Sequence, residues 1–244
     1  SIAANTADLQ SVATTGNQNY SSVSSTTFNN DLNISVAGNS IQAGDVSLAA
    51  NSNVTLTGSH ADNDVSLGSV NGGFALAVTA TGGDVILGTV GNSTELSLLT
   101  LTANSADLQS VATTGNQNYS GVTSTTFNDD LSISIAGNNI QAGDVSLAAD
   151  SNVTLTGSHA DNDVSLGSVN GGFALDITAT GGDVILGTVG NSTELSLLTL
   201  TANTADLQSV STTGNQNYNA VSNSTFNDDL VISVAGNSIQ ASDV

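Results

Sequence analysis

Asp45-Val46-Ser47-Leu48, Asp64-Val65-Ser66-Leu67 and Asp84-Val85-Ile86-Leu87 are one short phrase written three times, beginning at spacings of 19 and 20 residues. Asp107-Leu108 and Asp130-Leu131 continue it, and the five intervals from Asp45 to Asp144 fill 99 residues at a mean of 19.8. A phrase that returns at this distance is expected where coils of a solenoid stack in register. A second, longer period encloses the first. Ala7 to Val12 returns at Ala106 to Val111 and at Ala205 to Val210, each displaced by 99 residues. The sequence repeats are 5–103, 104–202 and a partial copy at 203–244, and the first two differ at ten of 99 positions. About five coils would make one repeat.

The local pattern is that of strands. Asn53-Val54-Thr55-Leu56-Thr57, Phe74 to Ala80 and Leu131 to Ala136 alternate apolar and polar residues, the two-residue period of a strand with one buried face. Asn71-Gly72-Gly73, Thr81-Gly82-Gly83 and Ala37-Gly38-Asn39 punctuate the runs and supply backbone conformations with positive φ. Differences between copies bear on the facing. Val36 becomes Ile135 and then Val234, and Val78 becomes Ile177, whereas Asn33, Ser132 and Val231, like Ala77 and Asp176, change character. Leu32, Ile34, Val36, Leu76 and Val78 are therefore expected to point inward.

Composition narrows the function. The 244 residues hold 21 Asp and Glu, two His and no Lys, Arg, Pro, Cys, Met or Trp, for a formal charge of −21. No Lys or Arg ion pair can form, so hydrogen bonds and apolar burial must carry the fold. Such a chain repels phosphate and anionic lipid, which disfavours nucleic-acid partners and electrostatic docking on membranes. No apolar run reaches membrane-spanning length, so membrane insertion is not expected. With 38% apolar and only 9% charged residues, the chain is not expected to be disordered. It lacks a starting Met and a signal-like segment and stops within a repeat, which reads as a piece of something longer.

Two architectures accommodate a 99-residue period. Tandem immunoglobulin-like sandwiches are the alternative. The aromatic content is only 3% with no Trp, nothing resembles an interdomain linker, and a phrase recurring every 20 residues has no reason to exist in a sandwich. The expectation is an all-β fold, a parallel β-helix of about 20 residues per coil, with 1–244 forming one continuous solenoid. A lone coil of ~20 residues gives up ~30 kcal/mol of conformational entropy, more than its few inward side chains return, so only stacking stabilises it.

Two strings also carry a resemblance. Thr14-Thr15-Gly16-Asn17-Gln18-Asn19-Tyr20, repeated at Thr113 to Tyr119 and Thr212 to Tyr218, and Gly44 to Thr57 resemble the repeat regions of filamentous-haemagglutinin-like adhesins, large secreted proteins of Gram-negative bacteria. The resemblance implies a right-handed β-helix shaft, exported and displayed at or released from the cell surface. The implied function is structural: a non-catalytic shaft that meets a host or neighbouring cell through regions outside this chain and self-associates into fibres or bundles.

Few residues suggest chemistry. His60 and His159 occupy equivalent places in Ser-His-Ala-Asp-Asn-Asp-Val, beside Asp62 and Asp64 and beside Asp161 and Asp163. These six are the candidate cation ligands, and Ca²⁺ is the ion that oxygen-rich clusters suit, although it needs six to eight oxygens and the spacing is not that of an EF-hand. A solvated turn is the plainer reading. The Asp residues at 45, 64, 84, 107, 130 and 144 are expected to cap turns; carboxylates stacked one coil apart would instead invite a cation. Nothing resembles a nucleophile with its base, and no other cofactor is expected. Binding along the solenoid face to calcium, glycan or ice is the alternative function, the last suggested by pairs such as Thr55 and Thr57, Thr79 and Thr81, and Thr100 and Thr102. The Asn-x-Ser/Thr triplets are numerous in so Asn-rich a chain and do not by themselves show glycosylation.

Overall fold

The computed structural model describes residues 1–242. The described residues contain no helix, and the chain, 58% strand, winds as a β-solenoid of about 11 turns with roughly 21 residues per turn. Two compact units, Ser1–Ser124 and Thr125–Val244, divide it.

In the first unit the strands fall into three columns, each paired in parallel from coil to coil. One column runs through Ala7, Thr26, Val46, Val70, Val90 and Val111. A second runs through Val12, Leu32, Val54, Val78 and Leu101, and a third through Gln18, Ile41, Val65, Val85 and Ala106. The second unit repeats the arrangement, with Leu131, Val153, Ile177 and Leu200 in one column and Ile140, Val164, Val184, Ala205 and Ser224 in another. Parallel ladders one coil apart exclude the antiparallel pairing of a sandwich. Each coil places its backbone donors and acceptors against those of the next, so the ladder needs no ionic contribution.

The core is a stack of mostly aliphatic layers, with Phe28, Phe127, Tyr119 and Tyr218 as its largest fully buried side chains. Leu32, Ile34, Leu76 and Val78 are buried as the alternation predicts. Val36 is not: it is 49% exposed, and its counterparts Ile135 and Val234 are 57% and 50% exposed. The strand ends at Ile34, and the chain bends through Ser35 to Gly38. The two-residue period stops with the strand, and a Val-for-Ile exchange is tolerated there because a turn constrains neither.

The phrase that set the coil length is also less simple than its spacing. Val65 pairs with Val85, so Asp64 and Asp84 do begin successive coils of one column. Val46 pairs with Val70 instead, which puts Asp45 on a different face. All three faces require the same inward pattern, so one phrase serves on each of them. The long repeat is likewise out of step with the coil. Five coil steps carry Ala7 to Val111, whereas the sequence repeat returns Ala7 as Ala106, which lies in another column. In the second unit Ile140 and its counterpart Ile239 also stand in different columns. One repeat is thus close to five coils but falls short by about one face.

One core position is badly used. The hydroxyls of Thr26, Thr125 and Ser224, equivalent in the three copies, are buried without a hydrogen-bond partner. Replacing Thr125 by Val keeps the shape and removes an uncompensated polar group, so a gain of about 1 kcal/mol is expected. The urea midpoint of Thr125→Val should rise; a fall would mean that the hydroxyl is satisfied in solution.

Candidate functional site

The histidine turns sit at a bend between two strands, Ser52–Leu56 and Val65–Leu67. His60 lies over Gly38 of the preceding coil: a Cβ built there would stand 3.4 Å from the imidazole, and φ at Gly38 is +77°. Nδ1 of His60 accepts the Asp62 N–H at 3.1 Å, which leaves the proton of the neutral ring on Nε2. The Asp62 carboxylate is 3.7 Å from the same nitrogen, and the two side chains are 50% and 77% exposed. His159 and Asp161 repeat this at 3.6 Å. Asp64 is committed elsewhere, accepting the Asp84 N–H of the next coil at 3.0 Å, as Asp163 accepts that of Asp183 at 2.9 Å. The structure therefore brings His60 to Asp62 and His159 to Asp161. Among the described residues no three of His, Cys, Asp and Glu gather closely enough to hold a metal ion.

The residue that organises this turn is Asn63, between the two acids. Its side chain is fully buried and touches three coils. Oδ1 accepts the Gly38 N–H of the coil before at 2.7 Å. Nδ2 donates to the Gly58 carbonyl of its own coil at 2.8 Å and toward the Thr81 carbonyl of the coil after at 3.4 Å. Asn162 repeats all three bonds with Gly137, Gly157 and Thr180. One amide thus satisfies turn backbone that the strand ladder cannot reach. Glycine makes room for it, since a Cβ at Gly83 would come within 2.4 Å of the Asn63 carbonyl oxygen.

Several other carboxylates are likewise spent between coils. Asp45 accepts from the Ser69 hydroxyl at 2.7 Å, Asp84 from that of Ser105 at 2.6 Å, and Asp144 from that of Ser168 at 2.7 Å. Asp130 accepts both the backbone N–H and the side-chain amide of Asn152, at 2.8 and 2.9 Å. Each of these partners lies one coil further on: Asp64 and Asp130 accept backbone N–H groups as expected of capping residues, but the bonds join one coil to the next. Glu194 bridges the Ser211 and Ser233 hydroxyls at 2.7 and 2.6 Å. The bonds from Ser233 and Ser211 hold its carboxyl below the usual range.

Within the Thr-Thr-Gly-Asn-Gln-Asn-Tyr string, Gln18 and Tyr20 turn inward and are buried. In the first copy the Tyr20 hydroxyl donates to Gln18 Oε1 at 3.2 Å, Gln18 Nε2 donates to Thr14 Oγ1 at 3.2 Å, and Thr14 donates to the Gly16 carbonyl at 2.6 Å. Gln18 Nε2 also reaches the Asn33 carbonyl of the next coil at 2.8 Å. Tyr119 with Gln117 and Tyr218 with Gln216 repeat the tyrosine bond at 3.0 Å. Burial pushes the phenols of Tyr119 and Tyr218 far above their ordinary range. An open depression lined by Ala13, Thr14, Thr15 and Ser35 holds no titratable side chain.

Neither a family model nor a curated protein nor a solved structure matches the chain.

Proposed function

We propose that the chain is a non-catalytic structural shaft of an extracellular adhesin or surface fibre, made by a Gram-negative bacterium. The observation that carries this reading is where its polar chemistry goes. Asn63, Gln18, Asp64 and Asp130 spend their hydrogen bonds joining one coil to the next, as a load-bearing stack requires. The resemblance of Thr14 to Tyr20 to haemagglutinin-like repeats supports the adhesin half. Contact with another cell then belongs to regions outside this chain, and lateral association into bundles remains open to it.

Negative-stain images test the reading. A smooth thin rod is expected, lengthening by ~4.8 Å for every coil; beads at one per 99 residues would overturn it. A second reading, binding along a face, draws on an outward column of Thr55, Thr79 and Thr102, repeated as Thr154, Thr178 and Thr201. Ice-shaping and glycan-capture assays on this chain separate the two, because a spacer binds neither.

A further inference from the structure

Asparagine followed by glycine occurs twice in the chain, at Asn71-Gly72 and at Asn170-Gly171. In this dipeptide the next backbone nitrogen reaches the side-chain amide most easily, because glycine puts no Cβ in the way. The fold requires both residues. Asn71 closes the short strand Val70–Asn71, and its Oδ1 accepts the Ser93 and Thr94 N–H groups of the next coil at 2.8 and 3.3 Å. Gly72 has φ +132°, and a Cβ there would fall 2.5 Å from the Leu48 carbonyl oxygen of the coil before. Asn170 and Gly171 repeat the arrangement with Ser192, Thr193 and Leu147.

The two groups that would react are held by one segment. Attack joins Gly72 N to Asn71 Cγ. The Gly72 N–H donates to the Thr94 carbonyl at 3.0 Å, while Ser93 and Thr94 pin the Asn71 amide through Oδ1. Both holds must release before the nitrogen can turn toward Cγ, so the Ser93-Thr94 turn alone guards the reaction. In the other copy the Gly171 N–H donates to the Thr193 carbonyl at 3.1 Å, and the same guard is in place.

We propose that Asn71 and Asn170 are self-modification sites, which turn a brief opening between coils into a permanent mark. When the next coil lifts, Gly72 N bonds to Cγ, the bond from Cγ to Nδ2 breaks, and ammonia leaves with the proton that Gly72 N gives up. Water then opens the cyclic imide. Opening at Cγ leaves an ordinary aspartate; opening at the backbone carbonyl leaves isoaspartate, whose main chain runs through Cγ and carries an extra carbon. Aspartate can fasten the turn again, since its carboxylate accepts the same two N–H groups. Isoaspartate cannot, because the carbonyl that met Ser93 and Thr94 has become backbone and Gly72 is pushed from a place with no spare room beside Leu48. The proposal concerns the turn alone and holds whether or not the chain serves as a shaft.

The test ages the full chain in mildly alkaline buffer, cleaves it after Asp and Glu, since there is no Lys or Arg for trypsin, and reads isoaspartate with an isoaspartate methyltransferase and labelled S-adenosylmethionine. In the folded chain both sites are expected to convert at least roughly tenfold more slowly than in synthetic peptides of the same sequence or in chain kept in urea, because each needs local opening first. N71Q/N170Q should give almost no label. Gly91→Ala supplies an internal comparison: a Cβ there would fall 2.0 Å from the Ala112 carbonyl oxygen, which forces the guarding turn outward. Conversion should rise severalfold at Asn71 while Asn170 in the same molecules keeps the parent rate. Should this variant unfold throughout, hydrogen exchange on the parent decides: as urea is raised below the midpoint, the rate at Asn71 should follow the opening of the Ser93 and Thr94 amides. After refolding of aged chain, those amides should exchange fast where isoaspartate has formed and stay protected in Asn71→Asp. Folded Asn71 converting as fast as its peptide, a rate at Asn71 that stays fixed while those amides open, or full protection beside isoaspartate would overturn the proposal.

Discussion

Replacing Asn63 by Asp is expected to lower stability by about 3–5 kcal/mol at neutral pH, although the two side chains have the same size. Oδ1 would still accept from Gly38. The Gly58 and Thr81 carbonyls, which now receive Nδ2, would instead face a buried carboxylate with no proton to give. Burial raises the folded-state pKa of the introduced acid above its unfolded value of about 3.9. Its protonated form is then the one the folded state prefers, so the deficit is small below that unfolded value and grows as pH rises. Urea midpoints of Asn63→Asp and the parent at pH 4 and pH 7 measure this, and Asn162→Asp should behave alike. A midpoint unchanged at pH 7 would mean that the amide does not join the coils.

Two adjacent glycine pairs supply the second large effect, with its own control. A Cβ at Gly83 would meet the Asn63 carbonyl at 2.4 Å to oxygen and 2.5 Å to carbon, whereas one at Gly73 would meet nothing within 4 Å. Backbone that lies between ladders cannot retreat, so Gly83→Ala is expected to cost about 3 kcal/mol or more, in the range of overpacked cores. Gly73→Ala should be neutral or stabilising by up to about 1 kcal/mol, because alanine restricts the unfolded chain. The separation between the two thermal midpoints is the measurement. Equal midpoints would show that the coils part easily at this turn.

What was legible in the sequence follows from distance along the chain. The inward facing of Leu76 and Val78, the coil length and the absence of ionic contacts with Lys or Arg are properties of composition or of a two-residue period, and short stretches carry them. Val36 misled because alternation in sequence persists past Ile34 while the strand does not. The Asp-Val-x-Leu phrase gave the right coil length from partly the wrong alignment, since Asp45 and Asp64 occupy different faces. In the sequence Asn63 stands out less than the acids on either side of it. Its role depends on Gly38 and Thr81, 25 residues before it and 18 after it, and only its setting near Gly58 and the later Gly82-Gly83 pair hinted at a crowded turn. The Thr14 to Tyr20 string is conspicuous as text, yet nothing local says that its glutamine is buried or that it reaches Asn33 of the next coil.

Because the long repeat falls about one face short of five coils, Ala7 and its counterpart Ala106 line different walls of the first unit, as Ile140 and Ile239 do in the second. The same words of sequence have to serve on two walls. A duplication that slips in this way works only while no side chain is specialised for one wall alone.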